Sequence, residues 1–174
     1  MPRPTTLPTG VECFFDHDEI IVSKTDTQGI ITYANQVFLD IAGYTEDEIL
    51  GQNHNVIRHP DMPRCVFKLL WDTLQSGQEI FAYVVNMAKN GDHYWVWAHV
   101  TPTFGRNGEI IGYHSNRRVP ERSSVDKAAA LYRDLRALEE QHGNGSEAMA
   151  ASLQAVLDLL DEAGVEYDEF AFSL

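Results

Sequence analysis

The chain has only two cysteines, Cys13 and Cys65, far apart and without the close spacing of a metal-binding pair. That excludes a disulfide framework and a cysteine-built zinc centre, and it points to a reducing, cytoplasmic setting. Positive charge is also scarce: 13 Lys and Arg stand against 26 Asp and Glu, a net charge of −13. Such a chain is repelled by phosphate backbones and anionic lipid, so neither nucleic acid nor a membrane surface is an expected partner. No apolar run approaches the roughly 20 residues of a membrane helix, and the opening MPRPTTLPTG has no signal-peptide core. Repeats and low-complexity tracts are missing. So are the arrangements that carry catalysis: no Ser/His/Asp set, glycine-rich phosphate loop or paired carboxylates stand out, and an enzyme is not expected.

What is present is an ordinary globular composition, 44% apolar and 22% charged in 174 residues, enough for one domain and some accessory helix. The native-looking start and patterned end read as a complete protein. Residues 1–10 are rich in Pro and Thr and read as extended or loosely ordered. EIIVSKTDTQGIITYAN, from position 19, reads as two β-branched strands around a Thr27-Gln28-Gly29 turn. Asn35 is placed to cap a short helix ending at Gly43, Thr45 with Glu48 forms a capping box, and Pro63 opens the longest internal helix. IFAYVVNMA, HYWVWAHVTP and EIIGYHSN follow as strands, with Asn90-Gly91 and Asn107-Gly108 at the turns. The order predicts an α+β fold, a five-stranded antiparallel sheet with helices over one face. Past Pro120 two amphipathic helices are expected, over 122–141 and 146–163, broken at His142-Gly143-Asn144-Gly145 and with Ser146 as a cap. The division is thus an extension over 1–17, a core domain over 18–118, and a helical hairpin with a tail over 119–174.

Strand alternation sorts the sheet into two faces. Ile80, Ala82, Val84 and Asn86 fall on one side with Val96, Ala98 and Val100; Phe81, Tyr83 and Val85 fall on the other with Trp95, Trp97 and His99. The first set is small and aliphatic, which leaves volume for a planar ring under the helices. Its one amide, Asn86, needs a hydrogen-bond partner, and a ligand is expected to provide it. The aromatic set is too apolar to face water, so either the C-terminal helices or a second copy must cover it. A homodimer through this outer face is favoured, because the two helical stripes exceed what one small sheet can bury.

Positions 53–64 read NHNVIRHPDMPR, with His54 and His59 flanking Arg58. As metal ligands, even with Asp61, these residues have no recognised tetrahedral spacing, and no metal site is expected. Trp71, on the apolar stripe of its helix, is either core or a stacking partner. Asn35 is either a cap alone or a cap that also reaches the pocket.

DTQGIITYANQVFLDIAGYTEDEILGQ, KNGDHYWVWAHVTP and GEIIGYHS resemble a PAS domain from first strand to last, over residues 18–118. More narrowly, GQNHNVIRHPDMPRCVFKLLW with KNGDHYWV is similar to the FAD-binding PAS domain of bacterial aerotaxis (energy-taxis) receptors, where the Arg-His-Pro-Asp-Met-Pro stretch is associated with the cofactor. The resemblance implies noncovalent FAD among Asn35, His54, Asn55, Arg58, His59, Asp61, Trp71, Asn86 and His114. Arg58 would be the fork for phosphates or ring oxygens, and Asp61 would orient Arg58 or His59. Alignment with light-oxygen-voltage domains puts Asn86 and His114 beside the ring's polar edge. It also sets His54 where their photoreactive cysteine stands, which excludes a cysteinyl adduct. The chain departs from the aerotaxis pattern at Ile80, where a tryptophan is usual, and at Phe81-Ala82, which replace a small pair. The implied function is a cytoplasmic redox or oxygen sensor signalling through a chemotaxis receptor or histidine kinase. Two alternatives remain: heme b on a single axial histidine, from His54, His59, His93 or His114, and a ligand-free dimerisation scaffold.

Overall fold

The computed structural model describes residues 6–142 and 145–174. Strands β1 (Ile21–Thr25) and β2 (Ile31–Ala34) lead into helices α1 (Gln36–Ala42) and α2 (Glu46–Ile49), a 3-10 turn (His54–Ile57) and α3 (Arg64–Gln75). Three strands follow, β3 (Ile80–Met87), β4 (His93–Phe104) and β5 (Ile110–Arg118), and then α4 (Arg122–Glu140), α5 (Gly145–Ala163) and α6 (Tyr167–Ser173). The strands form one antiparallel sheet in the order β2-β1-β5-β4-β3, as the strand pattern predicts. Asn35 caps α1, and Thr45 with Glu48 closes the capping box of α2. Helix α5 starts at Gly145, one residue ahead of the expected Ser146 cap. Gly143 and Asn144 of the expected break lie outside the described residues, as do residues 1–5 of the extension.

The described part of the extension is pinned. It runs beside the start of β4, where Val11 O accepts from His93 N at 2.9 Å and Cys13 N donates to His93 O at 2.7 Å. The β4–β5 register begins at Trp97, so the extension pairs with the portion of β4 that β5 leaves open. Thr9 N reaches Gly91 O at 2.9 Å, and a side chain at Gly91 would strike Leu7 O. Gly91, at φ 94°, therefore serves both the turn and the close approach of the extension.

The outer aromatic face is covered by the chain's own C-terminal helices. Trp95 stacks against Tyr132 of α4 at 6.0 Å, and the Tyr132 hydroxyl donates to Tyr83 O at 2.6 Å. Phe172 of α6 lies 4.8 Å from the Phe81 ring and 5.2 Å from Trp97. Lys127 on α4 donates to Leu174 O at 2.7 Å, fastening the end of the chain. Helix α5 packs on α4 and α3, its Val156 joining Met62, Cys65, Val66, Val85, Tyr132 and Leu135 in one buried cluster. Of the two ways of covering this face, the chain's own helices are the one seen, and they leave Phe172 61% exposed, so surface for a second copy remains. What the sequence reading left as a tail, α6, supplies the missing cover.

Candidate functional site

The site follows from what the sheet presents to α3. Cross-strand pairing sets Ile80 opposite Val100, Ala82 opposite Ala98, Val84 opposite Val96 and Asn86 opposite Tyr94, so the inner face of β3 and β4 has the predicted membership. β5 continues the parity: Arg117 pairs with Ala98 and Ser115 with Val100. Because these residues are small, the sheet and the Phe67, Leu70, Trp71 and Leu74 face of α3 do not close on each other. Between them lies a cavity of about 90 Å³, with Asn53, His54, Asn55 and Arg58 along one side. That is below the usual range for ligand pockets, roughly 300 to 1,000 Å³, so a three-ring ligand fits only if the cavity widens.

The floor of the cavity is polar in a one-sided way. Arg117, only 2% exposed, donates through Nη2 to Ser23 Oγ and lies over the Phe38 ring at 4.8 Å. Its Nε and Nη1 have no hydrogen-bond partner, nor has Asn86 Nδ2. Since Ser23 Oγ accepts from Arg117, its own hydrogen is free for His54 Nε2, 3.3 Å away. Burial, and secondarily the charge of Arg117, lower the His54 pKa from 6.5 to about 3. His54 is therefore a neutral imidazole at physiological pH, hydrogen-bonded through Nε2 to Ser23 Oγ. The unsatisfied groups that line the cavity, on Asn86 and Arg117, are donors, while the buried Tyr94 hydroxyl opposite Asn86 can donate or accept.

The rim is held by local bonds. The backbone of Arg58 forms a bridge with that of Asn86, tying the turn to the edge of the sheet. The Arg58 guanidinium rests over Phe67 at 4.1 Å, and its Nη2 donates to Met62 O at 3.4 Å. His59 is buried behind the rim. Its Nδ1 accepts from Asp61 N at 3.1 Å and lies 3.6 Å from the Asp61 carboxylate, while its ring meets His93 at 5.6 Å. Burial depresses its pKa, with Asp61 opposing.

Helix α3, one wall of the cavity, begins without a side-chain cap of its own. Its first N–H groups are taken by Glu139 of α4: Oε1 accepts from Arg64 N at 2.7 Å, Cys65 N at 3.3 Å and Ser152 Oγ at 2.9 Å. A carboxylate at a helix N-terminus satisfies orphan donors and meets the positive end of the helix dipole. The wall of the cavity and the C-terminal helices thus share one buried group.

A model of the PAS fold matches residues 31–117. The chain belongs to the PAS-fold family. It is 43% identical to the aerotaxis receptor of Escherichia coli (strain K12) over 120 residues, covering 69% of this chain and 24% of the receptor. A nitrogen fixation regulatory protein of Klebsiella pneumoniae is 28% identical over 82% of this chain and 27% of its own length. A blue-light-activated histidine kinase of Erythrobacter litoralis is 26% identical over 83% of this chain and 39% of its own. The chain thus spans well under half the length of each of these relatives. Among solved structures, the dark state of the Aureochrome1 LOV photoreceptor superposes with a TM-score of 0.57 over 66% of this chain and 85% of that one, at 23% identity.

Within the PAS fold the expected site residues separate into two groups. His54, Asn55, Arg58, Trp71 and Asn86 line the cavity; Asn35, His59, Asp61 and His114 do not. Asn35 is fully engaged as a staple, its Oδ1 accepting from Val22 N and Phe38 N and its Nδ2 donating to Ile20 O. The Asp61 side chain is 79% exposed, so its reach is limited to the His59 turn. His114 pairs with Thr101 and Lys24 on the outer parity of the sheet, opposite in sense to Ser115 and Arg117. The placement of His114 beside the ring is corrected accordingly, since alternation turns it away. Ile80 is buried beyond the cavity with Leu74 and Tyr113. Sequence reading missed Ser23, Ser115 and Arg117. The last two face inward because Gly105 N donates to Glu109 O across the turn and a bulge between Thr103 and Phe104 then shifts the register to set Val100 opposite Ser115.

Proposed function

We propose that the chain binds FAD noncovalently in this cavity and serves as a cytoplasmic, non-enzymatic redox sensor of the energy-taxis type, acting through a chemotaxis receptor or histidine kinase. The observation that carries the reading is the donor excess on the cavity floor. Three buried donors, on Asn86 and Arg117, have no acceptors, and burying such groups unpaired is costly. The polar edge of a flavin ring is rich in acceptors and fits that demand. Support also comes from the similarity to the aerotaxis receptor, which spans the Arg58-to-Pro63 stretch, and from resemblance in fold to a light-oxygen-voltage domain studied through a flavin analogue. Heme is less well served. The one histidine lining the cavity, His54, has Nε2 engaged by Ser23. An unliganded scaffold would leave the donors stranded.

A bound flavin supplies reversible redox chemistry. The residues of the chain supply the reading of it. Asn86 can turn its amide to offer a donor or an acceptor, and Arg58, Asn53 and Asn55 stand at the rim for the dinucleotide's phosphates. Movement of α3 is passed to α4 and α5 through Glu139, so the C-terminal helices are the output surface. No cysteine lines the cavity, and blue light is expected to form no thiol adduct. The test is the absorption spectrum of freshly purified protein and the cofactor released on denaturation. Intact FAD is expected. A Soret band, FMN alone, or colourless protein that fails to take up added FAD overturns the reading.

A further inference from the structure

Arg117 has a role that none of the site residues above explains. A buried guanidinium normally has a carboxylate beside it, because an unpaired charge is expensive to remove from water. Here no carboxylate lines the cavity, and among the described residues none lies within ion-pair distance of Arg117. This occurs in a chain with 26 acidic residues to draw on. It lies over the Phe38 ring, donates to the Ser23 hydroxyl and couples to the buried Tyr94 hydroxyl, and its Nε and Nη1 stay open. Burial lowers its pKa to about 10, which still leaves it protonated at neutral pH. With His54 neutral, Arg117 is the one cation on the floor; Arg58 sits at the rim over Phe67. The counter-charge is therefore left to the ligand.

We propose that Arg117 is the buried anchor for the polar edge of the ligand and that it determines the pocket's preference for a reduced, anionic flavin over the oxidised, neutral one. This rests on the flavin reading above. Reduction at neutral pH adds two electrons and one proton and leaves the ring with one negative charge; in the test, dithionite supplies the electrons and water the proton. A fixed cation favours that charged form, which raises the potential of the bound ring. The experiment is an anaerobic dithionite titration of the FAD-loaded protein with a reference dye, for wild type, Arg117→Met and Arg117→Lys. Wild-type protein should hold FAD at a higher potential than free FAD. The Met variant should stay folded, since an apolar chain of similar length relieves the buried charge, and should bind reduced FAD at least tenfold more weakly relative to oxidised FAD. That is a fall of about 30 mV or more for a two-electron couple. The Lys variant should recover most of the loss. A Met variant within tenfold of wild type, or wild-type FAD at or below the free potential, overturns the proposal while leaving the flavin reading intact. If wild-type protein binds no FAD, both fall. Should the Met variant fail to fold, Arg117→Gln and the wild-type potential decide.

Discussion

The inner side of the sheet leaves a small cavity with three buried donors lacking acceptors, whereas the outer side fits its aromatic rings against α4 and α6 and satisfies the Tyr132 hydroxyl on Tyr83 O. Both sides use the same strands. They differ in side-chain size and in where the polar groups end. On the outer side the chain supplies much of the cover and satisfies the Tyr132 hydroxyl, although Phe172 stays 61% exposed, so that side is expected to dominate stability. On the inner side burial and hydrogen bonding are left incomplete, as at sites that bind. The C-terminal helices grip both regions, because Glu139 caps the wall of the inner cavity from the outer layer.

That contrast can be broken most strongly at Tyr132. Replacing it with Ala removes a buried ring and the bond to Tyr83 O, and should destabilise the protein by about 3 to 5 kcal/mol. Urea denaturation reads this directly, and FAD bound per folded chain should not change. A loss under 1 kcal/mol would mean that α4 is only loosely seated. The next effect lies on the inner side and depends on pH. The folded pKa of His54 is about 3 against an ordinary 6.5, so between these values the unfolded chain binds the extra proton. Its contribution is fully present above pH 6.5 and is lost as pH falls toward 3. From pH 7 to pH 5 it should amount to about 2 kcal/mol. Denaturation at both pH values should show a slope smaller by that amount in His54→Gln, and equal slopes would contradict the neutral imidazole.

Asn35→Ala tests whether a residue expected at the site belongs instead to the scaffold. It should cost about 1 kcal/mol through the lost α1 cap, with unchanged FAD affinity by fluorescence titration; a loss of affinity would return Asn35 to the pocket. The smallest effect is expected for His114→Ala on the outer parity. Stability should move by less than about 0.5 kcal/mol, and the bound-flavin spectrum should be superimposable on that of the wild type. A shifted spectrum would put His114 back beside the ring.

The sequence by itself determined the strands, the inner and outer faces of β3 and β4 and most helix ends, because these rest on local rules. Period-two alternation sorted Val84 and Asn86 from Tyr83 and Val85, and Asn35, Thr45 and Glu48 form caps from neighbours a few residues away. The parity of Ser115 and Arg117 on the last strand depends on the bulge between Thr103 and Phe104, which no local pattern announces, and the resemblance alone put His114 in their place. Other features were not legible. Helix α6 is seven residues long and too short to be stable alone, so it exists because Phe172 and Ala171 find the outer face. The cap of α3 comes from Glu139, 75 positions away along the chain, and no local pattern announces it. Which stripe covers the aromatic face is likewise a matter of the path taken by the chain after Val119. Only the tertiary structure decides that a buried arginine ends with donors to spare, because partner geometry across β1, β5 and α1 is a property of packing and not of any window of sequence.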